Sequence, residues 1–451
     1  MTAFTAFIGC LRRIVLIVAL ALVMSPLLSS LAGATSIERI VSPGGVEAWL
    51  VREQSVPLIA IDFAFRGGAS QDPADKAGVA SMVASLLDEG AGELDAKTFH
   101  ERLENKAIEL NFTASRDVLN GMVRTLTENR DEAIELLRLA LTVPRFEAEA
   151  VERIRNQTLA LLRRESTSPN DIASRHWWAT AFAGHPYGQP TRGTLETVPA
   201  ITADDLKAYV RRVFARDRLK IAIVGNIDAV GAGALIDKVF GALPAKADLA
   251  PIAPTVPQGL GSRVVVDLDV PQAVVMVGGL GIARKDPDFM AAFIVNHILG
   301  GGSFSSRLYR EVREERGLAY SVYSMLLPLD HAALFMSGTA TRADRAGQTL
   351  EVVEQQIKRL AESGPTADEL AKAKSYLTGS YALRFDTSSK IAAQLVAIQL
   401  DDLGIDYIDK RNGLVEAVTL ADVKRVAKRL LDGGLLVTVV GKPQGLTAKG
   451  G

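Results

Sequence analysis

The spacing of apolar and polar positions changes repeatedly along the chain, and this change separates strands from helices. Short apolar or alternating runs between turn residues predict strands, and apolar residues recurring every three to four positions predict helices. In the first half, the predicted strands are 45–52, 58–65 and 107–114, and the predicted helices are 76–87, 130–141 and 147–164.

The second half has the same mixture of elements. Helical spacing is found near 288–299, 343–362, 366–380 and 388–402, with β-rich runs before and after these segments. Strands and helices come in runs rather than in strict alternation. This order is typical of α+β domains whose helices pack on a largely antiparallel sheet.

Two segments of the first half are repeated in the second half. Residues 67–73 resemble 281–287, with a shared Asp-Pro pair 214 positions apart, and 201–207 resemble 418–424, with a shared aspartate 217 positions apart. Nearly equal offsets in the same order predict a duplicated domain of about 210 residues, which is longer than the repeats of solenoid proteins. The second repeated segment begins with a threonine typical of helix N-caps, Thr202 and Thr419.

A proline-rich segment, 243–262, separates the two repeats. Its prolines favour an extended backbone and oppose helix formation, so the segment is predicted to be a semi-rigid linker. The predicted organisation is therefore a first domain at 35–242, this linker, and a second domain at 263–445.

Residues 1–34 have the features of a secretory signal. Arg12 and Arg13 precede an uninterrupted run of eleven apolar residues, 14–24, and Ala32-Gly33-Ala34 follows as a small-x-small cleavage site. A membrane anchor is the alternative, but the apolar run is shorter than the roughly 20 residues that span a bilayer. Cleavage would place the mature chain in the periplasm and would remove Cys10, the only cysteine.

The charge balance excludes two classes of partner. The chain has 51 basic and 52 acidic side chains and 48% apolar residues. Nucleic-acid-binding proteins carry basic patches, and none of the basic clusters that mark a membrane-surface site is present here. We therefore expect neither a nucleic-acid partner nor a membrane contact beyond the signal segment.

Three motifs occur in a defined order along the chain. Residues 182–194 contain Gly-His-Pro-Tyr-Gly followed by Gly-Thr, residues 299–308 are rich in glycine and serine, and Arg313 and Tyr320 lie seven residues apart in the charged segment 310–320. In duplicated domains, this set resembles the pitrilysin/insulinase family of zinc metallopeptidases over essentially the whole mature chain. In particular, it resembles the non-catalytic subunit of bacterial two-chain members.

The resemblance implies a function for the Arg/Tyr pair. The Tyr320 hydroxyl would donate a hydrogen bond to a substrate carbonyl oxygen as negative charge develops there, and the planar Arg313 guanidinium would grip backbone carbonyls. The alternative is that Arg313 is a solvated member of a charged helix, 310–316, and that Tyr320 is a packed strand residue.

The zinc-binding motif of the family is degenerate in this chain. Active members carry H-x-x-E-H on a helix, where positions i, i+3 and i+4 share one face and converge on the metal. The matching positions here are Ser81, Ala84 and Ser85, and the distal carboxylate position falls at Leu161 or Leu162. The resemblance therefore implies no metal in this chain and zinc in a partner subunit.

The histidines and serines do not suggest another catalytic site. No two histidines are three or four residues apart, and the pair His176 and His185 is better explained by packing or capping than by metal binding. A zinc site built from remote residues remains open. The glycine-rich stretch lacks a P-loop or dinucleotide-binding ending, and its serines lack a nucleophile elbow, which favours close backbone approach or a helix-end turn. The histidines are His100, His176, His185, His297 and His331.

These features predict half of a clamshell-shaped peptidase. The leading hypothesis is a non-catalytic, substrate-binding subunit that forms a heterodimer with a homologous H-x-x-E-H chain and lends it Arg313 and Tyr320 for peptide cleavage. Extended peptides would be held partly by strand addition. The alternative is an inactive peptide-binding or structural scaffold protein with the peptidase fold, and independent peptidase activity would need a metal site that the motifs do not provide.

Overall fold

The computed structural model of the protein describes residues 36–450. The predicted signal segment 1–34 lies outside the described residues and stays a prediction. In chain order the strands are β1 (Ile37–Val41), β2 (Glu47–Arg52), β3 (Leu58–Arg66), β4 (Glu109–Ala114), β5 (Val118–Leu126), β6 (Leu219–Gly225), β7 (Arg263–Asp267), β8 (Gln272–Leu280), β9 (Ala319–Pro328), β10 (Ala333–Arg342) and β11 (Leu436–Gly441).

The helices surround these strands on both sides. In chain order they are α1 (Val79–Ala84), α2 (Ala96–Asn105), α3 (Arg130–Thr142), α4 (Ala148–Glu165), α5 (Pro169–Ala181), α6 (Thr197–Ala200), α7 (Ala203–Val213), α8 (Ala229–Phe240), α9 (Phe289–Asn296), α10 (Ala346–Ser363), α11 (Ala367–Gly379), α12 (Ser388–Leu400), α13 (Tyr407–Ala417) and α14 (Leu420–Leu431). Two π-helical turns, His297–Gly301 and Tyr309–Glu314, follow α9. None of the helices within 36–450 combines the length and the apolar character needed to span a bilayer.

The strands form two sheets with the same topology. The first sheet has the order β1-β2-β6-β3-β5-β4 and the second has β7-β11-β8-β10-β9. In each sheet one pair is parallel, β2 with β6 and β7 with β11, whereas the pairings from β6 across to β4 and from β11 across to β9 are antiparallel. The α+β class, the largely antiparallel sheets and the duplication are therefore confirmed.

The two halves exchange a helix. Helix α5 of the first half packs on β11 and β8, and helix α12 of the second half packs on β6 and β3. The indole N–H of Trp177, fully buried on α5, donates to the Leu436 carbonyl at 3.1 Å. In the reciprocal contact, the Gln399 side-chain amide of α12 donates to the Ile221 carbonyl at 2.9 Å. Each half therefore covers one face of the other half's sheet.

The predicted N-caps are confirmed as complete capping boxes. Thr202 accepts a hydrogen bond from the Asp205 N–H at the start of α7, while the Asp205 carboxylate accepts from the Thr202 N–H. Thr419 and Asp422 repeat this arrangement at α14. Each box satisfies two backbone donors that the first helical turn would leave unpaired.

The predicted helix 76–87 is shorter than the sequence pattern suggested. Helix α1 begins only at Val79, after a left-handed Gly78 with φ 106°. A Cβ on Gly78 would lie 2.8 Å from the Arg192 carbonyl oxygen, so the backbone can approach only because this residue is glycine. The buried Asp72 carboxylate then accepts hydrogen bonds from the Gly78 and Ala80 N–H groups and holds the start of the helix.

The linker contacts both halves along its length. Residues 243–262 contain neither helix nor strand. The Thr255 N–H donates to the His331 carbonyl at 2.8 Å in the second half, and the Gln258 N–H donates to the Ala181 carbonyl at 2.8 Å in the first half. Leu249 packs against the core of the first half. The segment is therefore an ordered linker that is held against both halves by hydrogen bonds and packing.

Candidate functional site

The degenerate motif lies on α1, packed into the core of the first half. Ala84 is 5% exposed and belongs to the same core cluster as Leu162 of α4, while Ser81 is half-buried and Ser85 is the exposed C-cap. Two hydroxyls and two apolar side chains do not fit Zn²⁺, which is held by imidazole, thiolate or carboxylate groups. Between residues 36 and 450 no cluster of three or more His, Cys, Asp or Glu side chains could hold a metal ion.

The Arg/Tyr pair is brought together on the second half. Arg313 lies on the second π-helical turn, and Tyr320 lies near the start of β9. The Arg313 guanidinium lies 4.6 Å from the Tyr320 ring centroid and 4.9 Å from that of Tyr309, and it donates a hydrogen bond to the Tyr309 hydroxyl. Phe304 extends the group edge-on to Tyr309, with ring centroids 5.0 Å apart. We call Phe304, Tyr309, Arg313 and Tyr320 the Arg/Tyr cluster.

The alternative that Tyr320 is a packed strand residue is wrong. Its side chain is 81% exposed, and its hydroxyl has no hydrogen-bond partner among the described residues. A tyrosine in this position gains little from burial, so its polar end is available to an external group. Phe304, another member of the Arg/Tyr cluster, is also exposed, at 72%.

Arg313 differs from the other charged residues of its segment. Arg316 donates to the Glu311 carboxylate at 2.6 Å, and Arg310 lies 3.4 Å from the same carboxylate. These ion pairs lower the pKa of Glu311 against the opposing effect of its burial. Arg313, by contrast, has no carboxylate partner in the described part of the chain and is held between two aromatic rings. Its remaining donors are free to bind an acceptor outside the chain.

The glycine-rich stretch confirms the expectation of close backbone approach. A Cβ on Gly300 would lie 2.6 Å from the Ser324 N of β9, and one on Gly302 would lie 2.8 Å from the His297 carbonyl oxygen. Ser303 adopts a left-handed conformation with φ 47° between the two π-helical turns. π-helical turns are frequent at functional sites. Here they place Arg313 beside the edge strand β9.

Both sheets end in an open strand on corresponding sides. Strand β4 pairs only with β5, and β9 pairs only with β10, within the described residues. An edge strand presents unpaired N–H and C=O groups that can bind an extended peptide. Tyr320 lies on β9 itself, so a peptide added to this edge would lie next to the Arg/Tyr cluster.

The Gly-His-Pro-Tyr-Gly motif has a structural role. The His185 Nδ1 accepts from the Tyr187 N–H at 3.1 Å, which confirms the predicted capping role, and its Nε2 lies 3.1 Å from the Ala253 carbonyl of the linker. The Tyr187 hydroxyl donates to the Asp117 carboxylate at 2.7 Å and accepts from the His331 N–H at 3.0 Å. Burial raises the pKa of both Tyr187 and Asp117. The motif therefore joins the two halves.

The remaining histidines do not form a site with one another. His297 is buried and stacks on the Tyr376 ring at 5.1 Å, and burial lowers its pKa. His176 is exposed on α5 and His100 is half-buried on α2. They lie on separate elements, in agreement with the absence of close spacing in the sequence.

Sequence reasoning missed two members of the Arg/Tyr cluster. Tyr309 is only 8% exposed and fixes the guanidinium of Arg313, four residues later in the chain. That spacing on a predicted helix could have indicated the contact. The exposed Phe304 gave no such signal, because its position depends on the π-helical turns.

The comparisons with known proteins agree with this architecture. Residues 50–195 match the family described as Insulinase (Peptidase family M16), and 200–377 match the Peptidase M16 inactive domain. A Helicobacter pylori protein named Non-peptidase homolog YmxG is 33% identical over 337 residues, covering 74% of this chain and 77% of that protein. A Streptomyces coelicolor protein named Uncharacterized zinc protease SCO5738 is 28% identical over 421 residues, covering 91% and 90%.

A solved structure shows the same fold. The crystal structure of a peptidase M16 inactive domain from Pseudomonas fluorescens has a TM-score of 0.85 and 30% identity, and it covers 92% of this chain and 100% of that chain. The duplicated sheets, the degenerate motif and these similarities lead to one conclusion: the chain belongs to the M16, insulinase-like peptidase family and carries its inactive domain.

Proposed function

We propose that this chain is the non-catalytic, substrate-binding subunit of a periplasmic zinc metallopeptidase. Its partner is a homologous chain that carries H-x-x-E-H and binds the zinc, and the two form a heterodimer that cleaves peptides. The observation that carries the proposal is the exposed, unpartnered Tyr320 hydroxyl beside an Arg313 that has no carboxylate partner. Two hydrogen-bond donors that the chain does not use itself are suited to a site completed by another chain.

The chemistry assigned to the pair is electrostatic. Tyr320 donates a hydrogen bond to the scissile carbonyl oxygen as that oxygen gains negative charge, and Arg313 binds a neighbouring backbone carbonyl of the peptide. A donor of this kind stabilises a transition state by about 3 kcal/mol when water is excluded. The Tyr309 hydroxyl accepts a hydrogen bond from the Arg313 guanidinium and thereby fixes the orientation of this group.

The open edge of β9 supports peptide as the substrate class. A peptide that adds to this edge is extended and passes Tyr320 through main-chain hydrogen bonds, which do not depend on its sequence. The expectation of export supports a periplasmic site for this reaction. The first half lacks the donor set for zinc, so the reaction requires a second chain.

Co-purification tests the partnership. The tagged mature chain is expressed in its native organism and purified from the periplasm, and the proteins that co-purify with it are identified by mass spectrometry. An unrelated periplasmic protein with the same tag is the control. Recovery of a homologous H-x-x-E-H chain at equal stoichiometry is the expected result. Recovery of the chain alone, or with unrelated envelope proteins, contradicts the proposal and favours the inactive peptide-binding or structural scaffold.

A further inference from the structure

A cavity lies in the second half, away from the Arg/Tyr cluster. It has a volume of about 350 Å³ and is enclosed by α9, the far end of β9, α12 and α13. None of the four residues of the Arg/Tyr cluster lines it. Arg411 and Ile398 are buried at its floor, whereas Arg384 and Ala397 are exposed and mark its opening.

The cavity has an excess of positive charge. Its charged lining residues are three arginines and one aspartate. Arg284 donates to the Asp401 carboxylate at 2.9 Å and to the Tyr407 hydroxyl at 2.8 Å, so this cation is neutralised locally. Arg384 and Arg411 have no carboxylate partner among residues 36–450. Two positive charges without a carboxylate partner therefore line one cavity.

Arg411 is buried whereas Arg384 is exposed, so the charge of Arg411 is the more costly of the two to leave unpaired. Its side chain is only 4% exposed, and one terminal nitrogen, Nη1, donates to the Leu377 carbonyl at 2.6 Å and to Asn412 Oδ1 at 2.9 Å. The other two guanidinium nitrogens, Nε and Nη2, have no hydrogen-bond partner in the described chain. A buried charge is costly unless it is paired and hydrogen-bonded. Neither nitrogen belongs to the fully buried, unpaired polar atoms of residues 36–450, so both are accessible from the cavity and can donate to an anion there.

Aromatic rings keep Arg411 in place. Its guanidinium lies 4.5 Å from the Tyr381 ring centroid and 5.6 Å from that of Phe293, which partly compensates the charge through cation–π contacts. Burial lowers the pKa of Arg411, and the nearby charge of Arg384 acts in the same direction. A negative group between the two guanidinium ions would relieve both effects.

Apart from the amides of Asn296 and Gln394 and the hydroxyls of Tyr381 and Tyr407, the rest of the lining is apolar and suits a hydrocarbon body. The residues that share this character are Phe289, Met290, Phe293, Leu326, Ile398 and Leu403. The volume is at the lower end of the range for small-molecule sites, about 300 to 1,000 Å³. An apolar wall with a few convergent cationic groups is the arrangement expected for a small amphipathic anion.

We propose that this cavity binds a carboxylate attached to a short apolar body, with the carboxylate held by Arg411 and Arg384. This chemistry is shared by a free medium-chain fatty acid and by a peptide that ends in an apolar residue. The inference does not rest on the proposed function, because it needs neither a partner chain nor a reaction.

Isothermal titration of the purified chain tests the site with two matched pairs of probes. Octanoate is compared with octanol, and acetyl-Ala-Ala-Leu with a free carboxylate is compared with the same peptide as the amide. We expect at least one acid to bind and its neutral analogue to bind roughly tenfold more weakly or not at all, because the charge-assisted hydrogen bonds are lost. The acid that binds more tightly identifies the source.

Three variants connect the binding to the named residues. R411Q is expected to weaken binding of the acid by roughly tenfold or more, and R384Q, which is exposed and cannot disturb the core, by about threefold. K410Q is the matched control, because Lys410 is the exposed neighbour of Arg411 on α13 and pairs with Asp406. Thermal melting of each variant checks that it is folded.

The proposal fails in three ways. It is overturned if neither acid binds at millimolar concentration, if octanol and the peptide amide bind as tightly as the acids, or if R384Q and a folded R411Q bind like the wild type. If R411Q does not fold, R411K replaces it: this variant keeps the charge but not the planar donor set, and unchanged binding by both R411K and R384Q contradicts the assignment.

Discussion

The two halves share one topology but treat their carboxylates in opposite ways. In the first half Asp62 is half-buried and Asp72 is buried, and desolvation raises the pKa of each to about 7. In the second half Asp286, the counterpart of Asp72, pairs with Arg429, and Asp288 pairs with Arg425 and Arg429. These arginines lower the pKa of Asp286 and lower that of Asp288 to about 2. Duplication thus preserved the fold while the chemistry around equivalent positions diverged.

The same contrast applies to the functional segments. In the first half, α1 directs Ala84 into the core and has no donor set for zinc. In the second half, two π-helical turns interrupt the chain after α9 and present Arg313 and Tyr320 at an open sheet edge. The first half has become a packed framework, whereas the second half retains exposed polar groups.

The largest effect is expected from breaking the helix exchange that unites the halves. W177A removes a fully buried side chain together with its hydrogen bond to the Leu436 carbonyl, and we expect a loss of about 3 to 5 kcal/mol in the free energy of unfolding. Denaturant unfolding is the measurement. H176A, on the exposed side of the same helix, is the control. A loss below about 1 kcal/mol would show that α5 is not essential to the second sheet.

The next effect concerns Asp62, a half-buried carboxylate of the first half. Ile61 and Phe63 face the core, so Asp62 faces the opposite side of β3, which α12 covers. Its pKa is about 7 when folded and near 3.9 when unfolded, so its contribution to stability is present below about pH 4 and is lost as the pH rises to 7. Between pH 4 and 7 we expect Asp62 to lower the free energy of unfolding of the wild type by an amount on the order of 2 kcal/mol. The variant D62N should not show this decrease. Parallel pH profiles of wild type and D62N would contradict this.

A smaller effect is expected from the paired carboxylate of the second half. Arg425 and Arg429 are about half exposed, so the double variant R425Q/R429Q should lower the free energy of unfolding only slightly, and by less than either change above. The pKa of Asp288 is depressed, so this contribution exists above about pH 4 and is lost as the pH falls toward 2. High salt should reduce it. Equal stability of variant and wild type at low salt and pH 7 would exclude it. K358Q, which alters an exposed pair within α10, is the control.

Much of the fold followed from local patterns. The duplication and the helix N-caps at Thr202 and Thr419 could be predicted from spacing and residue type alone, and the family resemblance implied the degenerate zinc motif at Ser81, Ala84 and Ser85. Each of these features depends on residues that are close in sequence or on a repeated motif.

The remaining features depend on contacts between distant residues. The helix exchange joins Trp177 to Leu436, and the left-handed Gly78 that shortens α1 lies against the Arg192 carbonyl. The π-helical turn that places Tyr309 under Arg313 shows no signal in apolar spacing. Arg411 reads as an ordinary surface charge in the sequence, and only the fold encloses it. Tertiary packing overrides the local pattern at these places.

The variant Y320F tests most directly whether the chain lends Tyr320 to the active site of another chain. Turnover of a peptide by the purified two-chain complex is compared for wild type, Y320F and Y323F. Tyr323 lies three residues further along the same strand, outside the Arg/Tyr cluster and against Gly338, and is the matched control. Because Tyr320 is 81% exposed, Y320F should leave folding and assembly unchanged. We expect Y320F to lower kcat by about 100-fold and Y323F to leave kcat unchanged. An assembled Y320F complex with wild-type turnover would contradict it.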